Sequence, residues 1–224
     1  MWTLVTGGAQ NLGLSINKAL ALQGRDLIIH YRMHEKEAFE LAKSLSNVQV
    51  KVIYGDFSTK EGVESFIQEL PESIDTLINN VGNYMESSLL ETPMDDLFTL
   101  FQTNFHTPFR LIQALSGSLK NVVNIGVAGL NRPRSSLNIS PYLLTKGTLL
   151  ELTCAFAKEL APKNIRVNMV SPGYLENTVI EPKSIPLGVK TSDSEIVKAI
   201  IYLLDPENIT LTGQNIEVSG GVCL

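Results

Sequence analysis

WTLVTGGAQNLG, residues 2–13, sets up the whole chain. WTLVT is a short apolar run with strand character. Gly7, Gly8 and Gly13 then space a tight turn that leads into a helical segment over 12–23. Glycine permits the sharp reversal and lets the helix pack closely on the strand it follows. Backbone N–H groups at the helix start can then face a pyrophosphate. A glycine-rich turn gains meaning from its position. Directly after a first strand and before a helix, it points to dinucleotide binding. Asn11 stands where the usual last-but-one glycine would be, and its amide can contact a phosphate or close the turn.

Outward from this turn, apolar runs alternate with amphipathic segments almost to the C-terminus. The runs are 2–6, 26–31, 48–54, 75–80, 121–126, 165–171 and 215–219, rich in Val and Ile and without clean polar alternation. Strands covered on both faces read this way. Helices are expected over 12–23, 35–46, 60–70, one long span of about 95–118, 141–160 and 193–204. Repeated βα units predict an α/β, doubly wound, mostly parallel seven-stranded sheet with helices on both faces. No repeat or linker divides the chain, so residues 1–224 read as one domain. The least regular stretch, 172–192, reads as a substrate-covering loop or an ordinary surface loop.

The chain has 224 residues, 44% hydrophobic and 18% charged, which suits one globular domain. A net charge of -5 argues against a nucleic-acid partner. Cys154 and Cys223 lie far apart, and His30, His34 and His106 form no zinc pattern. The expectation is a reduced cytoplasmic protein without a metal. No signal peptide is expected before the first strand, and no run approaches the ~20 apolar residues of a membrane span.

Two further stretches bear on chemistry. The second strand ends in HYRMHEKE, offering His30, Tyr31 and Arg32 but no carboxylate before Glu35. An acid at this point would accept from an adenosine ribose hydroxyl, whereas Arg32 can pair with a 2′-phosphate, so NADPH is favoured over NADH. The alternative is an exposed arginine at a strand end. Farther on, SPYLLTKG (140–147) offers Ser140 as an N-cap and Pro141 for the first helical position, with Tyr142 and Lys146 on one helix face. That spacing fits an acid–base pair, or a helix that simply carries both residues.

The order of these pieces resembles the short-chain dehydrogenase/reductase family along essentially the whole length. TGGAQNLG (6–13), GDFS (55–58), NNVG (79–82), Asn104 in QTNFHTPF, YLLTK (142–146), VSPG (170–173) and TGQNIEVSGG (212–221) carry the likeness. The resemblance implies a single Rossmann-type domain and an NADP-dependent oxidoreductase. Tyr142 would be the proton donor, and Lys146 would lower its pKa and hold the nicotinamide ribose. Asn104 would position a water that joins Lys146 to solvent. Asp56 would accept from the adenine amino group. Gly7, Gly8, Gln10, Asn11, Leu12, Gly13, His30, Tyr31, Arg32, Phe57, Asn80, Val81, Gly82, Pro172 and Gly173 would complete the cofactor site. Tyr84, Val127 and Tyr174 would face the substrate. The family also implies a homo-oligomer, most simply a tetramer, formed through the 95–118 and 141–160 helices. Leu149, Leu152, Thr153 and Phe156 are expected to supply its apolar surface.

One departure bears on the substrate. The family's carbonyl-binding serine is missing, since Gly126 and Val127 stand in its place within NIGVAG. Ser135, Ser136 and Ser140 lie nearby in sequence. Pteridine reductases, which reduce a ring C=N bond, often lack that serine. TGGAQNLG and HYR resemble them, and Tyr84 is placed either to stack on a pterin or to serve as a lid or core aromatic. Their pterin-binding acid is absent. Similarity to β-ketoacyl carrier protein reductases is the competing reading. Lys183 and Lys190 would be the only loop cations for a phosphopantetheine arm. A non-catalytic NADP(H)-sensing module is the third.

Overall fold

The computed structural model describes residues 1–132, 136–178 and 185–223. Its strands are β1 (Trp2–Val5), β2 (Asp26–Tyr31), β3 (Val50–Tyr54), β4 (Ile74–Asn79), β5 (Asn121–Ile125), β6 (Arg166–Pro172) and β7 (Asn215–Val218). Its helices are α1 (Asn11–Leu22), α2 (Glu35–Ser44), α3 (Lys60–Gln68), α4 (Met94–Phe101), α5 (Thr107–Leu115), α6 (Ser140–Leu160) and α7 (Asp193–Leu204). The strands form one sheet in the order β3-β2-β1-β4-β5-β6-β7, and every adjacent pair is parallel.

Alternate strand residues go to opposite cores. Leu4, Ile28, Leu77 and Val122 pack with α3, α5 and α6. Val5, Leu27, Ile29, Ile78 and Val123 pack with α1, α2 and α7. The strands are therefore apolar along their length, and each buried aliphatic side chain contributes roughly 2 kcal/mol. The strand order reverses between β1 and β4, which opens a crevice at their carboxyl ends. No described helix is long and apolar enough to cross a membrane.

Two expectations change. The single helix over 95–118 is α4 and α5 joined by a π-helical stretch, Gln102–His106, and it ends at Leu115. Leu149, Leu152, Thr153 and Phe156 are all buried within the chain, between 0% and 9% exposed, so they serve the sheet and not a partner. The described residues of 172–192 pair across the stretch. Leu175 bridges to Thr191, Glu176 N donates to Thr191 O (3.1 Å), and Thr191 N donates to Tyr174 O (2.8 Å). It then enters α7 through a capping box between Ser192 and Glu195.

Candidate active site

A cavity of ≈ 880 Å³ lies over the carboxyl ends of the strands and runs from the glycine turn to Tyr142 and Tyr174. At the turn, Gly7 has φ +62° and Asn11 φ +47°. Asparagine is among the few side chains that tolerate this left-handed region, so Asn11 closes the turn through its backbone. A Cβ on Gly13 would stand 2.1 Å from Gly7 O, and one on Gly8 would stand 2.4 Å from Asn17 Nδ2. The turn is also clamped from β4. Asn80 Nδ2 donates to Thr6 O (3.0 Å) and Gly7 O (3.1 Å), and Thr6 Oγ1 accepts from Asn80 N (2.9 Å) and Val81 N (3.0 Å). Thr6 and Asn17 were not legible as site residues, although both lie in or beside the glycine motif. Gln10 and Leu12 line the same end of the cavity.

Around the end of β2, Arg32 Nη1 lies 3.6 Å from Asp56 Oδ1, with both side chains partly exposed. Ser58 donates to Asp56 through its N–H (3.0 Å) and hydroxyl (2.8 Å), and these bonds, aided by Arg32, hold the carboxyl below its usual range. Tyr31 OH donates to Glu35 Oε1 (3.0 Å), so the first carboxylate after β2 is paired with a tyrosine. His30 and Phe57 are each 2% exposed and stacked on one another, and both line the cavity.

Tyr142 and Lys146 share one face of α6, with Lys146 Nζ 6.0 Å from the Tyr142 ring centroid. Lys146 is buried; it donates to Ile125 O (2.8 Å), and desolvation lowers its pKa to about 8. The expected lowering of the Tyr142 pKa is not what the structure gives. Burial, with a smaller contribution from Tyr84, pushes the phenol above its ordinary value, so Tyr142 keeps its proton at neutral pH. Gly82 sits close against this pair, and a Cβ there would lie 3.0 Å from Lys146 Nζ.

Asn104, within the π-helical stretch, is fully buried. Its Oδ1 accepts from Asn83 N (2.7 Å), and its Nδ2 donates to Asn83 O (2.9 Å) and Thr145 Oγ1 (2.9 Å). Both amide hydrogens are thus committed to protein groups. The side chain ties the segment after β4 to α6. Thr145 enters the site through this bond, and its place inside YLLTK was the available signal. Ser140 does not cap α6; its hydroxyl donates to Ser136 O (2.5 Å) and accepts from Ser136 N (3.2 Å).

At the substrate end, Tyr84 meets Tyr142 edge to face, with ring centroids 5.2 Å apart at 67°. Val127, Ser136, Asn138, Pro172, Gly173 and Tyr174 line the cavity beside them. Gly126 admits no side chain, because a Cβ would fall 2.4 Å from Ser171 Oγ and 2.7 Å from Met169 Sδ. Ser135 and Lys183 lie outside the described residues, and Lys190 Nζ donates to Thr178 O (3.2 Å). Among the described lining residues, the only lysine is Lys146 and the only arginine is Arg32.

Comparison with known proteins agrees with this geometry. Residues 7–223 match the family described as Enoyl-(Acyl carrier protein) reductase. The chain is similar to the uncharacterized oxidoreductase YmfI of Bacillus subtilis, at 27% identity over 97% of each chain. It is also similar to the 3-oxoacyl-(acyl-carrier-protein) reductase FabG of Chlamydia pneumoniae, at 28% identity over 98% of this chain and 95% of the relative. A solved structure of a blue fluorescent protein from a metagenomic library, in complex with NADPH, superposes with a TM-score of 0.89 at 25% identity, covering 100% of this chain and 98% of the other. With its all-parallel seven-stranded sheet and the Tyr142–Lys146 pair above the glycine turn, the chain belongs to the short-chain dehydrogenase/reductase family of oxidoreductases.

Proposed function

We propose that the protein is an NADPH-dependent reductase of a small molecule, with Tyr142 as the proton donor. The observation that carries this is the Tyr142 phenol one helical turn from a buried Lys146, in the same cavity as a glycine turn shaped for a pyrophosphate. NADPH, when bound, supplies the hydride. Gly7, Gly13 and Asn11 shape the backbone that faces its phosphates. Arg32 offers the 2′-phosphate a charged partner in place of Asp56, and the partly exposed pair lets it turn outward. Lys146 keeps its positive charge below about pH 8. It can hold the ribose hydroxyls and stabilise the phenolate left once Tyr142 gives up its proton. The related NADPH complex supports this choice of cofactor.

The substrate reading is a flat heterocycle with a reducible C=N bond, such as a pterin. Val127 offers no hydroxyl, Gly126 cannot carry one, and the aromatic wall of Tyr84 suits a planar ring. A ring nitrogen takes its proton from Tyr142 and needs no separate oxyanion donor. The second reading, reduction of a 3-oxoacyl thioester, is favoured by the similarity to FabG. Against it, the only described lysine or arginine lining the cavity besides Arg32 is Lys146, which is buried and bonded to Ile125 O, so the described lining offers a carrier-arm phosphate no free cation. The reading places the protein in the cytoplasm as a homo-oligomer.

NADPH oxidation against dihydropterins, dihydrofolates and acetoacetyl thioesters tests it. Turnover of a pterin that Tyr142→Phe abolishes, with NADPH affinity kept, is the expected result. Lys146→Ala is expected to damage both turnover and affinity. Turnover confined to thioesters overturns the heterocycle, and full activity in Tyr142→Phe overturns the acid.

A further inference from the structure

His30 is the one histidine of the chain that is both buried and bonded at each ring nitrogen. Gly7 N donates to its Nδ1 at 2.8 Å, and its Nε2 lies 3.0 Å from Gly55 O. A backbone N–H only donates and a carbonyl only accepts, so Nδ1 is bare and Nε2 carries the proton. The ring lies flat on Phe57 (centroids 4.1 Å, planes 2° apart) and receives the edge of Phe66 at 5.0 Å. Gly55 makes room for it, since a Cβ there would come within 3.0 Å of the imidazole. Burial is the largest influence and lowers the ring's pKa to about 4; the bond to Gly55 and the charge of Asp56 oppose it, and the charge of Arg32 reinforces it.

From this placement we infer that His30 is a positioning residue for NADPH, resting on the reading of the cavity as its site. The two glycines it joins belong to different halves of the cradle. Gly7 is the left-handed residue of the phosphate turn, and Gly55 precedes Asp56, which faces Arg32 at the adenosine end. One rigid imidazole fixes the distance between these halves, and its acceptor nitrogen holds Gly7 N–H away from the ligand, so that the turn offers its later amides. The ring is 2% exposed in the cavity wall and acts through the two glycines, and Tyr142 and Lys146 lie outside its contacts.

His30→Asn and His30→Gln separate the two bonds, because an asparagine amide reaches the position of Nδ1 and a glutamine amide that of Nε2. His30→Gln loses the Gly7 bond and is expected to weaken NADPH about tenfold, the worth of one hydrogen bond, whereas His30→Asn stays within about threefold of the parent. In both, kcat at saturating NADPH is unchanged, whereas a merely structural role would lower thermal stability and kcat alike. Equal losses of affinity in the two variants, or a larger loss in His30→Asn, overturn the proposal. Imidazole ¹⁵N spectra of the parent protein give a test that needs no variant to fold. A neutral Nε2–H tautomer at about pH 6, with ring signals that shift on NADPH addition, is expected. An Nδ1–H tautomer or an imidazolium overturns it. Failure of the parent to bind NADPH at all would instead overturn the cofactor reading.

Discussion

Gly126 and Val127 are adjacent in sequence and opposite in freedom. The missing serine could in principle be restored at either, yet only Val127 lies where a side chain has room. Val127→Ser is expected to fold and to raise kcat for a carbonyl substrate, because a hydroxyl bond strengthens as charge develops on oxygen, while leaving a ring C=N substrate unaffected or slowed. Gly126→Ser drives a Cβ into Ser171 and Met169 and is expected to lower stability by about 2 kcal/mol, read by thermal unfolding. A stable Gly126→Ser protein would contradict this packing. Arg32→Asp should weaken NADPH more than NADH, since it sets a carboxylate against the 2′-phosphate and beside Asp56. Equal change in both affinities, by titration, would remove Arg32 from the cofactor site. Arg32 was legible because charge at a strand end follows from residue type. The impossibility of a side chain at Gly126 was not, because the atoms it would strike belong to β6.

Between α4 and α5 the helix does not run straight, and the irregular turn is where Asn104 stands. A π-helical insertion admits an extra residue without ending the helix, and such insertions collect at functional sites. Here it accompanies an amide buried between Asn83 and Thr145. Asn104→Ala leaves the Asn83 N–H and C=O without their partner, while Thr145 Oγ1 keeps its bond to Tyr142 O, and is expected to cost about 2 kcal/mol, a fall in Tm of roughly 4–8 °C for a chain of this size. A Tm within about 2 °C of the parent by calorimetry would mean that the clamp is dispensable. The apolar period over 95–118 reads as one helix because an insertion of this kind changes hydrogen bonding and leaves composition alone. The Ser140 cap failed for a related reason. Its hydroxyl found a nearer partner in the loop at Ser136, a competition that local sequence does not rank.

For the molecule as a whole, apolar surface remains after the core is filled. Leu90 is 99% exposed, Phe98 65% and Met94 59%, all on α4 or the turn before it, and Leu144 on α6 is 50% exposed. Such surface on α4 and on α6, which pack together, favours a second copy. Light scattering at micromolar concentration is expected to give a dimer or tetramer, and Phe98→Glu to shift it toward monomer. A monomeric parent would refute the assembly. By itself the sequence determined the alternation of strands and helices, the parallel sheet, the glycine turn and the Tyr142–Lys146 pair, because periodicity, glycine spacing and the four-residue repeat of one helix face are local. Only the tertiary structure decided which face of α6 is buried, that His30 is held between Gly7 and Gly55 in the cavity wall, and that burial raises the Tyr142 pKa. Each of these depends on groups distant in sequence that the fold sets side by side, and on the water they exclude.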